Sequence, residues 1–240
     1  MARQTAIRTT AVRRLDPLSR KPPPVVAIQV VDSSAGGKTL DQSMCLMGAG
    51  MSYHRNAEIF GEDEPADYLY KVLSGCVRTY KILSDGRRQL EGFYLPGEIF
   101  GLEFTDEHAL SAEAIIDTKV QMIKRSALNA LAGRDAAVAR ELFLLAGCEL
   151  RRMQDRIMLL IKSAQERVAG FLIEMADRIS VGDAIILPMS RQDIADYLGL
   201  SIETVSRTLT SFETSATIEV STSRRIRLRN RSELNRITAC

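Results

Sequence analysis

Three side chains close to residue 200 have the types and spacing to read the edge of a nucleic-acid base. Arg207 offers a planar fork of donors that matches guanine O6 and N7, Glu203 can accept from cytosine N4, and Ser206 lies between them. Ile202 precedes Glu203 and adds an apolar member. Glu203 and Arg207 are four residues apart, so on a helix they share a face, and the carboxylate can also steady the guanidinium. Such a pair is common on any exposed helix and worth only ~0.3–0.5 kcal/mol there. The element that presents the pair decides between a reading head and a solvated surface.

That element is residues 188–213, PMSRQDIADYLGLSIETVSRTLTSFE. Ser190 is an N-cap type, Ile194, Ala195 and Leu198 recur at helical spacing, and Gly199 supplies a reversal. Ser201 then caps a second helix, Glu203 falls in its first turn where the helix dipole favours an anion, and Val205, Leu209 and Phe212 share the inward face. Small residues at Ala195 and Gly199 let two short helices cross, with Leu200 and Val205 plugging the gap. The pattern is a helix-turn-helix. Ile202, Glu203, Ser206 and Arg207 point outward near the start of its second helix, the end that enters the major groove in such motifs. Residues 216–220 and 225–228 can pair around 221–224 as a wing. Arg224, Arg225, Arg227, Arg229, Arg231 and Arg236 crowd this end against Glu233, and Arg224 and Arg225 are expected to meet phosphates, although a solvated basic face explains the run equally well.

The rest of the chain bounds the answer. A net charge of +2 over 240 residues argues neither for nor against nucleic acid, because local clustering decides that question. Cys45, Cys76, Cys148 and Cys240 form no CxxC, so neither a metal site nor a disulfide framework is expected. No apolar run approaches the ~20 residues that span a bilayer, and the basic N-terminus lacks the apolar core of a secretory signal, so a cytoplasmic protein without a membrane partner is expected.

Residues 1–40 read as a flexible arm rich in Arg, Thr, Ser and Pro. Within it DSSAGGKT, residues 32–39, nearly matches a phosphate-binding loop, but Asp32 stands where the first glycine belongs and would repel phosphate, which leaves an NTPase as a weak alternative. From about residue 48 to 124, some eight short β segments alternate with turns at Ser74-Gly75, Asp85-Gly86 and Pro96-Gly97, the pattern of an antiparallel roll or barrel. Then Ala139, Phe143, Ala146, Leu150, Met153, Ile157, Leu160 and Ala164 follow the 4-3-4-3 spacing of a two-stranded coiled-coil seam, which predicts one long helix and a homodimer. Two helix-turn-helix units about a two-fold axis would match two symmetric half-sites on double-stranded DNA. The expected class is α+β: arm 1–40, β-roll 41–134, dimerisation helix with a following helix 135–179, and winged helix-turn-helix 180–240.

This order resembles the cyclic-AMP receptor protein and fumarate-nitrate-reduction (Crp/Fnr) superfamily of bacterial transcription factors. The likeness rests on LPGEIFG at 95–101, AQERVAGFL at 164–172 and SRQDIADYLGLSIETVSR at 190–207. Glu203, Ser206 and Arg207 match the E-x-x-S-R signature of the branch that reads TTGA-type half-sites. By that resemblance Ser190, Arg191, Gln192, Ser201 and Thr204 contact phosphates, and RNA polymerase is a partner.

Two departures bear on regulation. Gly101-Leu102 and Leu110-Ser111 stand where the family's cyclic-AMP pocket has Gly-Glu and Arg-Ser, so the cation for the cyclic phosphate is missing and no cyclic-AMP dependence is expected. Residues 1–40 contain no cysteine and Gln121 occupies the family's roll-cysteine position, so no iron–sulfur cluster is expected. The combination resembles the FixK group, activators of micro-oxic respiration and nitrogen-fixation genes, with an unrecognised effector in the roll as the alternative. His54 and His108 read as surface or structural residues.

Overall fold

In the computed structural model the described residues are 40–159, 161–179 and 184–239. The near-match to a phosphate loop at residues 32–39, Leu160 of the seam and Cys240 lie outside them.

A short helix, α1 (Leu40–Met47), leads into eight strands: β1 (Ala49–Tyr53), β2 (Glu58–Phe60), β3 (Tyr68–Ser74), β4 (Val77–Ile82), β5 (Arg88–Tyr94), β6 (Ile99–Phe100), β7 (Ser111–Ala114) and β8 (Thr118–Lys124). They form two four-stranded antiparallel sheets in the orders β1-β8-β3-β6 and β2-β7-β4-β5. Alternation along β7 and at the start of β8 turns Ala112, Ala114, Thr118 and Val120 inward, as a half-buried strand requires. Phe60, Tyr70, Val72, Val77, Tyr94, Phe100, Ala112 and Val120 form a core of the roll. The turn between β3 and β4 depends on Gly75: its φ is +94°, and a Cβ there would lie 2.3 Å from Thr118 Oγ1.

Next come α2 (Arg125–Ala132), α3 (Ala136–Leu159) and α4 (Ala164–Ile179). Val138 and Leu145 of α3 are buried with Leu40, Met44, Leu69, Ile123 and Leu128, which fastens this helix to the roll. The expectation of one helix running through Ala164 needs correction. Helix α3 ends at Leu159, and Ser163 and Glu166 exchange backbone and side-chain hydrogen bonds of 2.7 and 3.3 Å as a capping box that starts a new helix. Ala164 is therefore the first residue of α4 and no member of the α3 seam.

The remaining elements are β9 (Ala184–Ile186), α5 (Arg191–Leu198), α6 (Ile202–Thr214), β10 (Ile218–Val220), β11 (Arg225–Leu228) and α7 (Arg231–Thr238), with a three-stranded sheet ordered β10-β11-β9. Val168, Ala169, Phe171, Leu172, Met175 and Ala176 of α4 join Ile185, Ile194, Leu198, Val205, Leu209, Phe212, Ile226 and Leu234 in one core. So α4, grouped in the sequence with the dimerisation helix, packs with the elements that follow it. Leu90 and Phe93 of β5 enter the same core, which ties the roll to the C-terminal half. Helices α1, α2 and α7, of eight residues each, are additions to the elements expected from the sequence.

Candidate nucleic-acid interface

Two caps and one glycine build the reading head. Ser190 accepts from the Asp193 N–H, while Asp193 Oδ2 accepts from the Ser190 N–H at 2.9 Å and its hydroxyl at 2.7 Å, a closed capping box on α5. Gly199 then turns the chain in the left-handed region, φ +63° and ψ 41°, and the Leu200 N–H donates to the Ala195 carbonyl at 3.0 Å. Ala195 and Val205 are fully buried at the crossing. Ser201 caps α6 by accepting from the Thr204 N–H at 3.2 Å.

The face that remains outside carries the four residues expected to meet bases. Ile202, Glu203, Ser206 and Arg207 together line one open depression on the surface. Arg207 is exposed and, among the described residues, makes no ion pair. The expected clasp by Glu203 is thus not closed. The Glu203 carboxylate is held below its usual range by hydrogen bonds with its own backbone and with Ser201, and to a smaller extent by the charge of Arg207. Arg191, at the first turn of α5, donates to Ser206 Oγ at 3.4 Å, so the two helices of the motif touch beside the depression.

The phosphate candidates divide. Ser201 and Thr204 stand at the α6 N-terminus with their hydroxyls 3.1 Å apart, whereas Arg191 and Gln192 are in the first turn of α5, where the Gln192 amide donates to Asp196 at 2.6 Å. Ser190 has both its donors engaged by Asp193, so its geometry is that of a cap with none left for a phosphate. At the wing, Arg227 and Arg229 pair with Glu219, Arg231 with Asp177 and Arg236 with Glu233. Arg224 and Arg225 have no such pair among the described residues, which leaves them as the wing's uncompensated charges.

Helix α3 carries a second surface. Phe143, Leu150, Met153 and Ile157 are 79, 58, 51 and 64 % exposed, so the apolar stripe is not covered by the described residues of its own chain. Ala146 is half-buried on the same helix.

The comparison with known proteins decides what this arrangement is. Residues 166–237 match the Crp-like helix-turn-helix domain and residues 51–135 the cyclic nucleotide-binding domain. The nitrogen fixation regulation protein FixK of Azorhizobium caulinodans is 47% identical over 82% of this chain and 82% of its own length, and that of Rhizobium meliloti is 40% identical over 73% and 80%. The solved structure of FixK2 from Bradyrhizobium japonicum is 51% identical and superimposes with a TM-score of 0.79, covering 81% of this chain and 98% of that one.

The chain belongs to the Crp/Fnr family. It is a FixK-like DNA-binding transcription regulator of α+β architecture. The family consists of regulators, not enzymes, so the NTPase alternative falls.

Crp/Fnr membership raises the question of a cyclic nucleotide, and the residues present do not suit one. The guanidinium of Arg78 is bound to Glu113 and Asp193, and that of Arg125 donates to the carbonyls of Ala66, Glu103 and Thr105, so neither is free to meet a phosphate. Gly101 has a φ of +77° and packs against Tyr70, while the Ser111 hydroxyl accepts from the Glu62 N–H at 2.9 Å. Among the described residues no group of three or more His, Cys, Asp or Glu could hold a metal, and no helix is long and apolar enough to cross a membrane. His54 is 98 % exposed beside Asp117, whereas His108 is buried and stacked on Phe60 at 3.6 Å between ring centroids.

The sequence reading missed the residues that hold the reading head to the roll. Arg78 Nη1 and Arg88 Nη2 reach Asp193 Oδ1 at 2.7 and 2.8 Å, and Arg88 also reaches Asp196 Oδ2 at 2.8 Å. Only Asp193 left a trace, as the acidic third residue after a capping serine. Arg78 and Arg88 lie over a hundred positions away in a strand pattern that assigns them no partner.

Proposed function

We propose that this protein is a cytoplasmic homodimeric transcription activator that recognises a TTGA-type palindrome and recruits RNA polymerase, controlling micro-oxic respiration and nitrogen-fixation genes without cyclic AMP or an iron–sulfur cluster. One observation carries the reading: the exposed Ile202, Glu203 and Arg207 and the half-buried Ser206 line one depression at the capped start of α6. Arg207 reads guanine, Glu203 reads cytosine N4, and Ser206 and Ile202 contact a thymine edge. Arg191, Gln192, Ser201 and Thr204 hold the flanking phosphates with the α6 N-terminus, and Arg224 and Arg225 of the wing hold the next ones. Ser190 supports them as a cap.

The exposed Phe143, Leu150, Met153 and Ile157 of α3, with the half-buried Ala146, supply the two-fold seam, and Leu160 continues it by spacing. Two motifs then face successive major grooves. The names of the relatives, nitrogen fixation regulation proteins, supply the gene class.

A second reading, control by a small effector in the roll, draws on the cyclic nucleotide-binding match and on the buried His108, whose Nδ1 lies 3.6 Å from Glu103 while Nε2 has no hydrogen-bond partner among the described residues. Titrating purified, effector-free protein onto a duplex with an inverted TTGA repeat separates them. Binding without any additive supports the first reading; binding that appears only with an added metabolite supports the second.

A further inference from the structure

The reading head is not simply tethered to the roll. Its first helix, α5, is docked on the β4–β5 hairpin through charges that are mostly out of solvent: Arg78 is 8 % exposed and Asp193 is 3 % exposed. Arg78 bridges Glu113 of β7 at 2.9 Å and Asp193 at 2.7 Å. Arg88 bridges Asp193 and Asp196, and the Gln89 amide donates to the Asp196 carbonyl at 2.8 Å. A second cluster lies nearby, where Arg178 of α4 reaches Glu98 of the roll at 2.7 Å and Glu174 at 2.6 Å. Between the clusters Phe93 of β5 packs on Tyr197 of α5 and Phe171 of α4, with centroids 5.1 and 6.2 Å apart.

These contacts sit at one particular point in the mechanics. The apolar stripe that would make the two-fold axis is on α3, which ends at Leu159, and α6 is reached only through the short connection to Ala164 and two further helices. The covalent path therefore leaves the direction of α6 relative to that axis open. The roll is fastened to α3 by its own core, so a hairpin locked onto α5 refers α6 to the axis. Adding one base pair between half-sites moves the second by ~3.4 Å and turns it by roughly 35°, so a rigid pair of heads fits one spacing.

We propose that Arg78 and Arg88, through Asp193 and Asp196, are positioning residues that set the half-site spacing this regulator accepts. The two arginines touch no base in this arrangement. They act by holding α5, and hence α6, at a fixed angle to the two-fold axis. This inference rests on the palindrome reading above.

The test measures spacer discrimination: affinity for the best inverted repeat divided by affinity for the same repeat lengthened or shortened by one base pair. Wild-type protein, Arg88→Gln and the conservative Arg88→Lys are compared, together with each protein's preference within a half-site. For Arg88→Gln the discrimination ratio falls ~10-fold, as expected for loss of a coupling contact, while half-site base preference stays as in wild type. Arg88→Lys, which keeps a cation beside Asp193 and Asp196, retains much of the ratio. An unchanged ratio in Arg88→Gln, or a change of base preference at one position, overturns the inference. Wild-type protein that shows no preference between spacings contradicts the palindrome reading itself.

Discussion

At the scale of single residues, Arg207 carries the most information. It is exposed, unpaired among the described residues and set beside Glu203, Ser206 and Ile202. Arg207→Ala should cost ~1–3 kcal/mol of binding and relax the preference at one base pair, read from affinities across a set of single-base variants of the site. Arg191→Ala should weaken binding to all of them alike and lower the salt slope by about one unit per half-site, because its partner would be a phosphate. Equal losses across every base for both variants would overturn the division of roles. The cysteines differ in the same residue-by-residue way. Burial pushes the Cys76 thiol up to about 12, whereas Cys45 is exposed. Iodoacetamide near neutral pH should therefore alkylate Cys45 in the folded protein and leave Cys76 unmodified by mass spectrometry.

At the scale of elements, α5 and α6 were legible because every local signal agreed: two capping serines, a reversal glycine, small residues at the crossing and apolar spacing of three and four. The roll strands were legible for the same reason, through alternation and turn dipeptides. The break between α3 and α4 was placed too late, beyond Ala164, although its capping box, Ser163 to Glu166, is written in the sequence. The apolar spacing continued across it and periodicity outweighed the cap. The docking of α5 on the β4–β5 hairpin could not be read at all, since nothing local specifies which distant carboxylate an arginine meets. That docking has a pH signature. Burial alone would raise the Asp193 carboxyl, but hydrogen bonds from Ser190 and the charges of Arg78 and Arg88 outweigh it and hold it below its ordinary value. A depressed folded value means the stability it contributes is present above the unfolded value of ~3.9 and is lost as the pH falls through the folded one. Thermal unfolding from pH ~5 down to ~3 should fall less steeply in Asp193→Asn than in wild type; parallel curves would show that Asp193 does not contribute.

At the scale of the whole molecule, the regulator is a roll, a long helix with an outward apolar stripe and a reading head locked to the roll. Phe143, Leu150, Met153 and Ile157 are exposed along that stripe, and the proposed pairing of two copies rests on them. Ile157→Glu should place a charge at the seam of each copy and yield monomers by light scattering, with binding to a full palindrome reduced to that of one half-site; an unchanged dimer would remove Ile157 from the seam. The central claim is that two copies of α6 read a symmetric site with no small molecule bound. Its most direct measurement is selection of purified, effector-free protein against a randomised duplex pool followed by sequencing. The account predicts enrichment of an inverted repeat with TTGA-type half-sites at one fixed spacing. A single unrepeated motif, or enrichment only after a metabolite is added, would contradict it.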